Sequence, residues 1–342
     1  MQKIYPLLMF LLPFLQTACD VHQWPVEEED VVKSAQLRLD LFFHTDMTVW
    51  EHYYNIDTNT LTEIETDAPV VYDNTQSAGF IRYIIRVYSR SDLRSGGGGL
   101  YFQEYVFTRE FTDDNYHFET DISLPLGEYR IMAWADISES ETAEPRYDAA
   151  DFASVFVYDH TLSTDYRDAF RGVKDVDLEL GNVSEPVRTV HIDMHRPLAK
   201  CEIIAEGLED FLQSNPTRNN MSDYRVILAY QGYTPFAYSA ITDLLVDSRY
   251  GEYFETVLTP IDESSASLGF DYHLVRTEGG STMLQVAVFG PDGEEISMSN
   301  PVQVPLRRDH HTVIRGKFLS ANASGGFVGI DPGYEGDFNI IK

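Results

Sequence analysis

The chain has 342 residues, 25 basic and 55 acidic side chains, a formal net charge of −30 and two cysteines. A field of that sign repels nucleic acid and anionic lipid, which excludes DNA or RNA as a partner. The length allows roughly two ordinary domains, and two cysteines, one of them in the leader region, exclude an intramolecular disulfide framework.

Lys3 opens the chain with a positive charge, and Ile4 to Leu15 form an almost unbroken apolar run. That run is shorter than the ~20 residues a spanning helix needs, so it reads as a secretory leader. Small residues Thr17 and Ala18 lead into Cys19, the position of the diacylglycerol acceptor in bacterial lipoproteins. Gln16 stands three places before the cysteine where Leu is usual, with Leu15 one place further back. The reading is a lipoprotein signal peptide over residues 1–18, with Cys19 as the lipidated first residue of the mature chain. Residues 19–33 follow as an acidic tether that includes Glu27-Glu28-Glu29-Asp30.

From residue 34 the pattern has period two. Leu37, Leu39, Leu41 and Phe43 alternate with polar neighbours, as in a half-buried strand. Met47 to Tyr54 comes next, an aromatic run whose first reading is packing at the sandwich end; its functional reading is an exposed loop in which Trp50, His52, Tyr53 and Tyr54 are candidate ligand contacts. Strands are then predicted at Ile81–Val87, Tyr105–Phe107 and Phe118–Leu124. Another is predicted at Gly127–Trp134, entered through a Gly-x-Tyr step typical of Greek-key sandwiches. Gly96–Gly99 has no following Lys-Ser/Thr and is a loop, not a phosphate cradle.

The turn-rich stretch Gly181–Pro186 marks a junction between an N-terminal sandwich at 34–183 and a C-terminal sandwich at 184–322. In the second half, strands are predicted at Val187–Met194, Tyr224–Tyr230, Phe270–Val275, Met283–Phe289 and His311–Phe318. Phe289-Gly290-Pro291-Asp292-Gly293 reads as a hairpin turn. The helix candidates are short: Leu208–Leu212, and a lesser one near Tyr166–Phe170. The fold class is therefore all-β, two tandem sandwiches, followed by a Gly-rich tail at 323–342. That tail ends in a strand-like tip, Phe338-Asn339-Ile340-Ile341, which pattern alone reads first as an edge strand of its own domain. Its functional reading is a strand offered to a neighbouring subunit.

Catalytic templates fail: there is no Gly-x-Ser-x-Gly, His-Glu-x-x-His, P-loop or dinucleotide fingerprint. His191 and His195 on one strand would lie about 13 Å apart at ~3.3 Å per residue, too far to share an ion. His310 and His311 point to opposite faces if extended, and both read as surface or edge histidines. Acidic stretches at Asp113-Asp114-Asn115 and Asp331 to Asp337 lack regular calcium-loop spacing. Cys201, in the apolar stretch Cys201–Ala205, reads as a small core residue. No metal and no cofactor is expected beyond a covalent lipid on Cys19, and the chain is not expected to be an enzyme.

Several segments together carry a likeness. They include Cys19 to Pro25, Met47 to Trp50, Leu126-Gly127-Glu128-Tyr129, Asp165-Tyr166-Arg167-Asp168-Ala169-Phe170-Arg171-Gly172 and Arg196-Pro197-Leu198-Ala199-Lys200. Further on come Ala266 to Tyr272, Pro305 to Thr312 and Ala323 to Gly326. The chain resembles Bacteroidales cell-surface lipoproteins of the fimbrillin-associated type, related to the anchor and accessory subunits of fimbriae. The resemblance implies transthyretin-like sandwiches, a lipid anchor at the outer membrane, other fimbrial subunits as partners, and assembly by strand complementation. A surface glycan-binding lipoprotein is the alternative, with a host or glycan ligand at the aromatic segment. A secreted hydrolase is the third reading.

The lipid anchor has a direct test. In the native host the mature protein should incorporate labelled fatty acid and enter the detergent phase on phase separation. Cys19→Ala should abolish the label and leave the protein in the aqueous phase.

Overall fold

The computed structural model describes residues 34–65, 70–73, 78–94, 100–112, 117–179, 187–214 and 220–320. Cys19, the acidic tether, Gly96–Gly99, Asp113–Asn115, the 181–186 junction and the 323–342 tail lie outside them. The described residues are mostly strands. In chain order these begin with β1 (Ser34–Phe43), β2 (Asp46–Asn55), β3 (Thr60–Glu63), β4 (Val71–Asp73), β5 (Ala78–Ser89) and β6 (Gln103–Thr112). There follow β7 (His117–Pro125), β8 (Gly127–Ser138), β9 (Tyr147–Asp148), β10 (Val155–Val157), β11 (Ala169–Leu178) and β12 (Arg188–Met194). The second half adds β13 (Leu198–Glu206), β14 (Arg225–Tyr230), β15 (Tyr233–Ser239), β16 (Leu244–Tyr250), β17 (Tyr253–Val257) and β18 (Thr259–Pro260). It closes with β19 (Ser265–Leu274), β20 (Gly280–Phe289), β21 (Glu295–Met298), β22 (Val302–Leu306) and β23 (His310–Gly316).

Two sandwiches result, as the alternating patterns predict. In the first, a three-stranded sheet β12-β1-β7 faces a four-stranded sheet β11-β8-β5-β6. Ala35, Leu37, Leu39, Leu41 and Phe43 of β1 point inward and are buried against Ile81, Ile85, Ile131 and Val176. Each such aliphatic side chain contributes roughly 1.5–3 kcal/mol by leaving water. In the second sandwich, a seven-stranded sheet runs β18-β19-β13-β23-β2-β3, with β4 also on β2. It faces a five-stranded sheet, β17-β14-β20-β21 with β22 on β20. Ile203, Val226, Leu228, Val286 and Ile314 fill that core.

The sheets do not divide where the sequence suggested. The chain after 184 supplies β12, which pairs in parallel with β1 of the first sandwich. In return β2, near the N-terminus, pairs in parallel with β23 of the second sandwich. Between the sandwiches lies a small sheet, β16-β15-β10-β9. It shares a third core with the outward faces of β5 and β8, in which Ile84, Met132, Trp134, Phe152, Tyr238 and Tyr272 meet. This explains why Ile131-Met132-Ala133-Trp134-Ala135 is apolar throughout: both faces of β8 are covered.

Local expectations fare unevenly. The Phe289–Gly293 turn forms: Gly290 N–H donates to Glu294 O at 2.8 Å, and Gly293 takes φ 81°, a backbone region that favours glycine. The helix at Leu208–Ser214 forms too. Tyr166–Phe170 is not helical beyond one 3-10 turn, Asp165–Arg167, because Ala169 already pairs with Asp136 of β8. The aromatic Met47–Tyr54 segment is a strand and not an exposed loop, held between β23 on one side and β3 and β4 on the other. His311 is buried, not at an edge, because β23 sits between β13 and β2.

β11 and β12 come closest at Gly172. A Cβ there would lie 2.5 Å from Met194 Sδ and 2.9 Å from the Asp193 carbonyl oxygen. Gly172→Ala should therefore lower stability by roughly 1–3 kcal/mol through overpacking, read as a lower denaturation midpoint at unchanged m-value.

Candidate functional site

Three of the segments that carried the family likeness converge at the junction of the two sandwiches. The connection from β10 to β11 supplies His160, Asp165, Arg167 and Asp168. Arg196 lies just before β13 and Lys200 within it, while Asp271, Tyr272 and His273 lie on β19. Thr164 caps the 3-10 turn by accepting from Tyr166 N–H, which fixes Arg167 and Asp168 pointing into the protein. Arg167, Asp168, Arg196, Lys200, Asp271 and His273 are all buried.

Their partners account for the charge. Arg167 pairs with Asp271 and donates to the Tyr272 carbonyl at 2.9 Å. The Asp271 carboxylate also accepts from Tyr230 Oη at 2.7 Å and lies 2.9 Å from His160 Nε2. His273 Nε2 stands 3.6 Å from the same carboxylate. Alongside, Asp168 accepts from Arg196 Nε at 2.8 Å, and Arg196 donates onward to the His44 carbonyl at 3.0 Å. Asp165 receives Lys200 Nζ and Tyr272 Oη, each at 2.6 Å. The turn is tied back by Tyr147 Oη, which donates to the Arg167 carbonyl at 2.6 Å.

Burial opposes charge on Asp271, but His160, Arg167 and His273 around it outweigh that and hold its pKa well below the usual carboxylate range. Burial lowers His160, against the pull of Asp271, and pushes His273 down to about 4. Arg167 is the permanent cation that balances Asp271. Cys201, beside this group, is buried, and its thiol is pushed up by burial and by the negative charges of Asp271 and Glu202. It is a core residue, as its apolar surroundings in the sequence indicated. The arrangement is an ionic lock of buried, mutually paired groups; its chemistry is cohesion. Charges set inside apolar strands, as in Phe270-Asp271-Tyr272-His273, were the sequence signal for it.

The aromatic residues singled out in the sequence are split by their strand. Tyr54 is buried, donates to Asn59 Oδ1 at 2.9 Å and stacks on Phe318. His52 is buried too, while Trp50 and Tyr53 are half-buried. Trp50 borders a surface groove of about 590 Å³ together with Glu51, Glu63, Glu65, Arg307 and His310. Its ring lies 5.7 Å from the Arg307 guanidinium and 6.2 Å from the His310 ring. His191 and His195 stay apart, as their spacing on a strand required: His195 stacks on His44 at 4.2 Å, and His191 contacts Asp40. Cys19 and Phe338–Ile341 lie outside the described residues.

A profile of one protein family spans residues 37–341 of the chain, which covers both sandwiches and the junction between them. The chain belongs to DUF6562, a family of unknown function. No curated protein matches the sequence. Among solved structures, this DUF6562 protein is similar to a candidate polysaccharide-binding protein of Bacteroides thetaiotaomicron, at 16% identity over 77% of this chain and 80% of that one, TM-score 0.41. It is also similar to a candidate adhesin of Bacteroides ovatus, at 11% identity, 78% and 76% coverage, TM-score 0.39. A third is the fimbrial anchor protein Mfa2 of Porphyromonas gingivalis, at 12% identity, 78% and 82% coverage, TM-score 0.38. These superpositions are loose, and no role is carried over from them.

The lock makes stability depend on pH. A histidine whose folded pKa lies below its unfolded value of 6.5 contributes stability that is complete above 6.5 and lost as pH falls towards the folded value. For His273, at about 4, the loss between pH 7 and 4 is about 3 kcal/mol. His160 acts in the same direction. Unfolding free energy measured by denaturant should fall across that window, and His273→Gln should flatten the slope whatever its absolute stability.

Proposed function

We propose that this DUF6562 protein is a lipid-anchored structural subunit of the cell surface, which anchors or assembles fimbriae by strand complementation and contributes to adhesion. The observation that carries the reading is the way the two sandwiches are joined. The chain passes between them repeatedly, β2 and β12 are exchanged across the apparent domain boundary, and the ionic lock is sealed between them. Such a body resists being pulled apart, because separating the halves would strand buried charges. It is suited to transmitting tension from a fibre to a membrane anchor, and poorly suited to the opening and closing that many enzymes use.

The rest of the reading comes from the sequence. Cys19 supplies the outer-membrane attachment, the acidic tether supplies reach, and the family likeness supplies the fimbrial setting with other fimbrial subunits as partners. Phe338, Asn339, Ile340 and Ile341 are the segment for strand exchange with a neighbour, where backbone hydrogen bonds give affinity and alternate side chains give specificity. A non-catalytic role belongs to the same proposal. Among the described residues no helix is long and apolar enough to cross a membrane, so attachment rests on the lipid in this reading.

The groove at Trp50 favours a second reading, a surface glycan-binding lipoprotein. An indole flanked by carboxylates, a guanidinium and an imidazole offers stacking and hydrogen bonds to a sugar.

Affinity recovery of the tagged mature protein from its native outer membrane, with mass spectrometry, separates the two. Fimbrial subunits in a stable complex, reduced by deleting residues 338–341 and absent from the Cys19→Ala control, are expected. Recovery of glycan-uptake components alone, or of nothing, would overturn the fimbrial reading. Loss of glycan binding in Trp50→Ala would then support the second.

A further inference from the structure

The outer face of the three-stranded sheet β12-β1-β7 carries a feature that neither the lock nor the anchor uses. Asp40, on the central strand, is flanked by histidines from both neighbours. In the parallel pairing of β1 with β12, Asp40 lies opposite His191, and His191 Nδ1 is 2.5 Å from Asp40 Oδ2. From the other side, His117 Nε2 of β7 contacts Asp40 Oδ1. Glu119, two residues along β7 and so on the same face, brings a carboxylate oxygen 4.0 Å from His117 Nε2. The donor atoms of Asp40, His117 and Glu119 all lie within 4.8 Å of one another.

The geometry points to a divalent metal site on this face, formed by Asp40, His117, Glu119 and His191, and selective for zinc. Two imidazoles and two carboxylates are a donor set for a borderline cation, whereas calcium and magnesium prefer oxygen alone. Four ligands suit tetrahedral zinc, whose donor atoms sit roughly 3.3 Å apart for metal–ligand bonds near 2.0–2.1 Å. Asp40, His117 and Glu119 already stand within reach of one ion, while His191, outside that group and held on the other Asp40 oxygen, is the exposed side chain that turns in as the fourth ligand. Asp40, only 15% exposed, is the fixed point around which they close.

Charge supports the same conclusion. Bound to a cation, the Asp40 and Glu119 carboxylates supply two negative charges that one divalent ion balances. The nearest cation along β1 on this face, Arg38, is engaged by Asp121 of β7 through two nitrogens at 2.9 and 3.3 Å. A bound ion would cross-link three strands whose ligands lie 77 and 151 residues apart in the chain. It would thereby pin both edges of the sheet that opens the first sandwich.

Zinc sulfate titrated calorimetrically into the metal-free mature protein should bind at one equivalent and raise the melting temperature. Cobalt(II) should occupy the same site with the visible absorption of tetrahedral coordination. His117→Ala and His191→Ala should each weaken zinc binding by about a hundredfold or more, while His310→Ala leaves it unchanged. Melting curves in chelator establish that the variants fold. Absence of saturable zinc binding, tighter binding of calcium than of zinc, or binding that survives in both histidine variants would each overturn the site.

Discussion

Everything in this fold turns on two arginine–aspartate pairs placed where water cannot reach them. Arg167–Asp271 and Arg196–Asp168 have side chains at most 2% exposed. Ion pairs so placed are poor sources of net stability, because desolvation consumes much of the attraction, but removing one partner is severe. Their effect is selective. The carboxylates and guanidiniums come from different parts of the chain, and each is satisfied in one mutual arrangement of the sandwiches. Tyr230, Tyr272 and Tyr147 add hydrogen bonds around them, to Asp271, Asp165 and the Arg167 carbonyl respectively.

The legible parts of the fold were those in which one face of a strand is wet. β1, β7 and β12 alternate cleanly, and their bounds follow from counting. β8 was recognised although both faces are buried, because its glycine entry and its length left few alternatives. β2 escaped for the opposite reason. Its side chains serve two cores and a surface groove at once, Met47 in one core, Tyr54 in the other and Trp50 at the groove, so no single periodicity survives in Met47–Tyr54 to mark a strand. The short strand β10 and the exposed pair β16 and β17 carry too little pattern to register. Tyr166–Phe170 deceived in another way: it packs charge and aromatic residues as a surface helix does, whereas its charges point inward.

The lock and the metal face share one reason for being hidden. Each is assembled from residues that are unremarkable within their own segment. Asp271 is one acidic residue among 55 acidic side chains, and only its placement beside Arg167 makes it singular. His191 was weighed against His195 because the two are close in sequence. Its actual partner, Asp40, comes from β1, and no spacing rule connects them. Sequence pattern reports which face a residue occupies; topology decides what else occupies it.

The parallel pairing of β2 with β23 has a kinetic consequence. Arg315 and Glu51, in contact at 3.2 Å, are 264 residues apart in the chain. A strand near the start of the described residues therefore cannot find its partner until nearly all of the chain has emerged. Contacts of such long range slow folding and leave early strands with unpaired edges in the meantime. On the ribosome, the seven-stranded sheet cannot close before its late strand β23 has been made. It also means that β2 stands open on that side during synthesis. Chaperoning of that edge would then be as much a part of the protein's life as the fold it finally reaches.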